Sequence, residues 1–174
     1  MDPSAPVRLP GVGPGRARGG APGGPLRFWD SSAVLALAVR GPASEKIEPF
    51  LKRDPEVVLW WGTALECASV LTRQKRLSQT DAGKARAIVE HLRARSFEVQ
   101  PTEEVRARAA RILSVHPLRT AAALQLAAAL VWCRERPQGV SFVSLDEDLR
   151  LAAAMEGFLV MPYAEEVHEP EAGG

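Results

Sequence analysis

The chain has 174 residues, 46% of them hydrophobic, and a formal net charge of +1. That length and apolar content suit one domain with an appreciable core. No apolar stretch reaches the roughly 18 residues of a membrane span, and the Pro/Gly-rich start lacks the apolar core of a secretory signal, so a cytoplasmic protein is expected.

Residues 1–25 (MDPSAPVRLPGVGPGRARGGAPGGP) carry no hydrophobic period and are expected to form a disordered arm. Within them Gly11-Val12-Gly13-Pro14-Gly15 neither follows a strand nor opens a helix, which rules it out as a phosphate loop. From 26 to 163 short apolar runs alternate with helical patterns, as in one domain. Strands are expected at 26–29, 57–61, 97–100, 140–145 and 158–161. Helices are expected at about 31–40, 44–53, 64–77, 80–95, 103–114, 118–135 and 147–156. In the fourth helix Ala85, Ile88, Val89 and Leu92 recur at helical spacing. Pro117 is placed to start the sixth, Pro137 and Gly139 to end it, and Gly157 to close the seventh. Residues 164–174 are acidic and read as a tail. Strands that are short, apolar and separated by helices argue for a parallel sheet covered on both faces. Helix pairs after the first three strands make the chain more helical than a minimal doubly wound fold.

Three of the apolar runs stop just before a carboxylate. Leu26-Arg27-Phe28-Trp29 meets Asp30, Val57 to Trp61 precedes Glu66, and Val140 to Leu145 meets Asp146. If these runs are neighbouring parallel strands, the acids gather at the carboxyl edge of one sheet, where open α/β folds build their sites. Clustered carboxylates repel, and a hard divalent cation is the usual remedy. Each acid also has a local explanation. Asp30 opens a helix and suits an N-cap, although Ser31 and Ser32 would cap equally well. Glu66 completes the T-x-x-E spacing of a capping box with Thr63. Asp146 follows Ser144 in another S-x-x-E, and acids at a helix start are favourable whatever their task. Both readings stay open for all three.

Other residues point to packing. Trp60, Trp61 and Trp132 lie in apolar segments and are expected in the core rather than as stacking partners for bases. Cys67 and Cys133 lack metal-ligand spacing and read as buried free thiols of a reducing compartment. His91, His116 and His168 are scattered and suggest neither a metal site nor a triad. Charge is divided along the chain. Residues 72–119 hold 11 Lys/Arg against 5 Asp/Glu, and residues 134–174 hold 3 against 9. A basic segment could grip a phosphate backbone while the acidic part holds metal; solvated helix faces explain the same pattern.

Four segments in this order resemble the PIN-domain family, in particular the bacterial VapC-type toxin ribonucleases. They are F-W-D-S-S-A-V-L (28–35), A-L-E-C-A-S-V-L-T-R (64–73), H-P-L-R-T-A-A-A-L-Q-L-A-A-A-L (116–130) and F-V-S-L-D-E-D-L-R-L-A-A-A-M-E-G (142–157). The resemblance spans about residues 26–163. It implies a three-layer α/β/α fold with a central parallel sheet of about five short strands. It implies Mg²⁺ or Mn²⁺ held by Asp30, Glu66 and Asp146, with Asp148 as a possible accessory, and hydrolysis of RNA. Arg119 would contact the RNA backbone, and the partners implied are a cognate antitoxin and a second copy in a homodimer. One position departs: Ala122 stands where the family carries a metal-facing aspartate. The loss removes one charge and one ligand, so a weakened nuclease competes with a non-catalytic PIN-like module that binds RNA or protein. A nucleotide-binding doubly wound protein is disfavoured, because no Gly-rich loop follows a strand.

Overall fold

The computed structural model describes residues 26–53, 55–74 and 77–163. The arm expected at 1–25 and the tail at 164–174 lie outside them. Five strands, β1 (Arg27–Trp29), β2 (Val57–Trp60), β3 (Phe97–Val99), β4 (Ser141–Val143) and β5 (Leu159–Met161), form one sheet. They lie in the order β3-β2-β1-β4-β5, and every neighbouring pair is parallel. Seven helices connect them: α1 (Ser31–Ala38), α2 (Pro42–Arg53), α3 (Thr63–Arg73), α4 (Gln79–Arg95), α5 (Glu103–Val115), α6 (Thr120–Trp132) and α7 (Glu147–Glu156). The expected α/β/α sandwich, with helix pairs after the first three strands, is the fold observed.

Alternation along the strands sorts the two cores. Phe28, Val58 and Phe142 are fully buried on one face, beneath α5, α6 and α7. Trp29, Val57, Leu59 and Val143 are buried on the other, beneath α1 to α4. Because both faces are covered, the strands read as continuous apolar runs. Phe28 pairs in register with Val58 on one side and Phe142 on the other. The Phe142 ring stacks on Phe28 at a centroid distance of 5.3 Å and lies 5.4 Å from the Phe158 ring. In α6, Ala127, Ala128 and Ala129 are fully buried, so small side chains let this helix approach its neighbours closely. His116 at the end of α5 is buried, and its ring Nε2 lies 2.8 Å from Glu156 Oε1 on α7, so this histidine ties two helices of one layer together.

Some element ends differ from expectation. α6 starts at Thr120 rather than near Pro117, because Leu118 N–H turns back to His116 O and Arg119 is extended. It ends at Trp132, and Arg134 and Glu135 take positive φ angles of 53° and 59°. α3 stops at Arg73, with Gln74 extended. Gly157 closes α7 as expected, at φ 103°, while Phe158 N–H bonds Ala153 O.

Of the adjacent tryptophans, Trp60 is buried but Trp61 is 44% exposed, so only the first belongs to the core. Trp60 points towards α5 and α6, whereas Trp61 falls in the turn beyond β2. The Trp60 indole lies against Gly62, the N-cap of α3, so closely that a Cβ there would sit 2.5 Å from Nε1. The Gly62 φ of −73° suits any residue, so only this contact demands glycine. Gly62→Ala is therefore expected to cost about 1–3 kcal/mol, as overpacking does. Urea unfolding checks this, and an unchanged midpoint would show that the indole moves aside freely.

Candidate active site

β1 and β4 are neighbours although β2, β3 and six helices separate them in the chain. The direction of winding reverses there, and such switch points open a crevice beyond the carboxyl ends of the strands. Asp30 stands at this point. Its N–H donates to Val143 O at 3.1 Å and carries the ladder one residue past β1. Its carboxylate then caps α1: Oδ1 accepts from Ala33 N–H at 3.1 Å and from Ser32 Oγ at 2.7 Å. Asp146 caps α7 through Oδ1, which accepts from Leu149 N–H at 3.0 Å. Both aspartates thus make the cap the sequence allowed. A carboxylate offers about four lone-pair sites, so a cap does not exhaust its capacity.

Glu66 behaves differently. The capping box is not formed, because Thr63 is already helical and the N-cap is Gly62, which has no side chain to take part. The Glu66 carboxylate instead reaches two other elements. Ser31 Oγ on α1 donates to Oε2 at 2.8 Å, and Gln125 Nε2 on α6 donates to Oε1 at 3.1 Å.

Two adjacent serines join the three acid-bearing elements. Ser31 holds Glu66. Ser32, besides donating to Asp30, accepts from Leu145 N–H at 2.8 Å and lies 3.4 Å from Ser144 Oγ. Ser144 Oγ in turn accepts from Asp146 N–H at 3.1 Å. Hydroxyl groups therefore hold the Glu66 and Asp30 carboxylates, and Asp146 joins them only through its main-chain amide. Among the described residues no three Asp, Glu, His or Cys side chains stand close enough together to hold one ion.

Burial sets the charges. Asp30 is 2% exposed, and desolvation pushes its carboxyl up to about 6, against the downward pull of its hydrogen bonds from Ser32 and Ala33. Burial also raises Glu66, opposed by its bonds from Ser31 and Gln125. Cys67 is a buried free thiol, as is Cys133. Burial drives the Cys67 thiol up to about 12, and the negative charges of Glu66 and then Asp30 push the same way. That thiol stays protonated beside the start of α1, its Sγ 3.7 Å from Ser31 O. Arg150 on α7 donates to Ser144 O at 2.7 Å and to Pro162 O at 2.5 Å. Burial lowers its pKa, while the charges of Asp30 and Glu147 raise it. α1 and α7 both begin at this edge, and their N-terminal dipoles favour anionic side chains there.

The donor set is carboxylate oxygen, which suits a hard cation such as Mg²⁺ or Mn²⁺. A cage of three carboxylates is not formed. Mg²⁺ commonly keeps several waters and takes only one or two carboxylates, and this arrangement fits that pattern. Asp148 is exposed in the first turn of α7 and outside the serine-linked set. Arg119 is the exposed N-cap of α6, and Ala122 is partly exposed one turn later. A further turn on, Gln125 is 1% exposed and also exchanges hydrogen bonds with Thr63 Oγ1 at 3.2 and 3.4 Å.

Ser31, Ser32, Ser144 and Gln125 were not singled out as site residues from sequence. The serines read as spare caps. The signal for Gln125 was a lone amide within the apolar run Leu124-Gln125-Leu126-Ala127. A separate groove of about 450 Å³ between α1, α2 and α4 is lined by Leu37, Leu51, Ile88 and Leu92. Leu37 lies near the end of α1 opposite Asp30, so this groove is not part of the acid set. No helix among the described residues is long and apolar enough to cross a membrane.

A family model described as PIN domain matches residues 27–155. Among solved structures, the Mycobacterium tuberculosis toxin VapC20, described as cleaving the sarcin–ricin loop, has TM-score 0.56 and 19% identity, covering 77% of this chain and 96% of its own. FitAcB from Neisseria gonorrhoeae has TM-score 0.54 and 17% identity, covering 78% and 95%. A protein from Pyrobaculum aerophilum has TM-score 0.52 and 20% identity, covering 78% and 89%. At these identities the likeness is one of fold. No curated protein matches the chain significantly in sequence.

Proposed function

The chain belongs to the PIN-domain family, and on that premise we propose that it is a metal-dependent endoribonuclease of the VapC toxin type. One observation carries the reading. Asp30, Glu66 and Asp146 follow three adjacent parallel strands; Ser31 and Ser32 bond the Glu66 and Asp30 carboxylates, and Ser144, 3.4 Å from Ser32, bonds the Asp146 main-chain amide. The description of VapC20 as a toxin that cleaves the sarcin–ricin loop supports RNA as substrate, and a cognate antitoxin is the partner the resemblance implies. A homodimer is the assembly the resemblance implies.

In this reading Asp30, Glu66 and Asp146 hold Mg²⁺ or Mn²⁺, each directly or through water. The bound ion would supply an acidified water and offset charge on the scissile phosphate. Ser32 and the α1 amide fix the Asp30 carboxylate, while Ser31 and Gln125 fix Glu66. The orientation of these oxygens is thus set before substrate arrives. Hydrolysis forms a phosphorus–oxygen bond from water and breaks the one to the departing ribose oxygen. Arg119 and the basic α4 and α5 surfaces would carry phosphate contacts.

Ala122 supports a second reading, a non-catalytic RNA- or protein-binding module. An RNA cleavage assay with Mn²⁺, run with and without chelator, separates the two. Cleavage that vanishes with chelator and in Asp146→Asn supports the nuclease; cleavage indifferent to both refutes it. Restoring the acid with Ala122→Asp is expected to raise the cleavage rate about tenfold, an added ligand contributing roughly 1–2 kcal/mol. Equal rates for Ala122→Asp and wild type would show that position 122 does not limit the site.

A further inference from the structure

α6 faces the acid set with an amide instead of a carboxylate. We propose that Gln125 is a positioning residue that orients Glu66 and forms the contribution of α6 to the site in place of an acid at 122. This rests on the nuclease reading above.

The geometry is that of a clamp. Gln125 is 1% exposed on a helix whose neighbouring Ala123, Leu126 and Ala127 are fully buried, so its side chain has little freedom. Its side-chain amide is committed at both ends. Nε2 donates to Glu66 Oε1 at 3.1 Å and to Thr63 Oγ1 at 3.2 Å, while Oε1 accepts from the same hydroxyl, at 3.4 Å. Thr63 is also buried and lies three residues before Glu66 on α3, so the amide grips two consecutive turns of that helix. Ser31 holds the other Glu66 oxygen from α1. A glutamate side chain has three rotatable bonds and would otherwise sample several rotamers. With both oxygens anchored from separate helices it has one orientation, and each oxygen retains a further lone pair.

The chemistry of the amide matters as much as its reach. A carboxylate on α6 this close to Glu66 would repel it, and one of the pair would take up a proton. An amide donor leaves Glu66 able to remain anionic while adding no charge of its own. The site is thereby built around fewer carboxylates, with orientation substituting for ligand number.

The test is a double-mutant cycle on the full chain with Gln125→Leu, Glu66→Gln and the pair. Each protein is measured for Mn²⁺ affinity by calorimetry and for kcat and KM on a single-stranded RNA. Gln125→Leu is expected to weaken Mn²⁺ binding and lower kcat by about 10–100-fold, the usual effect of removing the group that orients a ligand, with KM within about twofold. In the Glu66→Gln background the same change is expected to do little, because the residue it orients is already altered. Gln125→Asn keeps the amide but withdraws it by one methylene, and is expected to reproduce the loss even if the leucine variant fails to fold. Wild-type Mn²⁺ affinity and kcat in both Gln125 variants would overturn the proposal while leaving the nuclease reading intact. So would equal losses with and without Glu66. A wild-type protein that neither binds Mn²⁺ nor cleaves RNA would overturn both.

Discussion

Asp30→Asn is expected to abolish metal-dependent RNA cleavage and to make the metal-free protein more stable at pH 7.5. The two effects share one cause. Asparagine keeps the volume and the oxygen that caps α1, so the hydrogen bonds from Ala33 and Ser32 can persist. What disappears is the charge. Loss of a charged oxygen ligand is expected to lower kcat at least about a hundredfold. Stability moves the other way. Burial holds the Asp30 carboxyl at about 6, compared with 3.8 when unfolded. Below pH 3.8 both states are protonated, and the folded state gains its full preference for the neutral acid. As pH rises the unfolded chain ionises first, and this stabilisation is lost through about pH 6. A shift of that size corresponds to at most about 3 kcal/mol. Urea unfolding of the two proteins should therefore agree near pH 3.5 and diverge in favour of the variant above pH 6. Mg²⁺ should close the gap by stabilising wild type alone. A variant less stable than wild type at pH 7.5 without metal would contradict the account of a desolvated charge. A variant of undiminished activity would contradict the nuclease reading.

Phe142→Ala is expected to be the most damaging core substitution. The ring is fully buried in β4, between Phe28 of β1 and Phe158 at the start of the last strand segment. Removing it leaves a cavity bounded by rigid strands and the alanine-rich α6, which has little side chain with which to fill the gap. A loss of about 3–5 kcal/mol follows from transfer and cavity together. The stacked contact with Phe28 and the tilted one with Phe158 add to it. Phe142→Leu, which keeps most of the volume, should recover more than half of the loss. Chemical denaturation of the three proteins checks both figures. A loss under about 1 kcal/mol for alanine would mean that β4 is not held through this ring.

Most of the architecture was legible in the order of apolar runs. Strands buried on both faces are mostly apolar, so Val57 to Trp60 and Val140 to Val143, broken only by Ser141, announce themselves. The acids were legible for a related reason. A strand that ends in a carboxylate delivers it to a defined edge, and no long-range information is needed to place Asp30 or Asp146. Helix ends were less legible. Pro117 suggested a start for α6, but the chain first turns at His116 and Leu118. The links between acids were not legible at all. Nothing local distinguishes Ser31 and Ser32 as bridges from Ser31 and Ser32 as caps, since the partners lie 35 and 113 residues away. For the same reason the capping-box alternative for Glu66 could not be dismissed from sequence. Its true partners are on α1 and α6, and side-chain pairing across elements leaves no periodic trace. Trp61 was assigned to the core with Trp60 because an apolar run does not reveal where its strand stops.

The winding order has a consequence for biosynthesis. β1 precedes the other four strands in the chain, yet one of its two flanking strands is β4, whose residues are joined more than a hundred positions later. Until then a nascent polypeptide presents β1 with one edge unfilled, and Asp30 has no Val143 carbonyl to fix its amide. The ribosome must therefore release nearly the whole domain before β4 can close that edge and Asp146 can join Asp30 and Glu66.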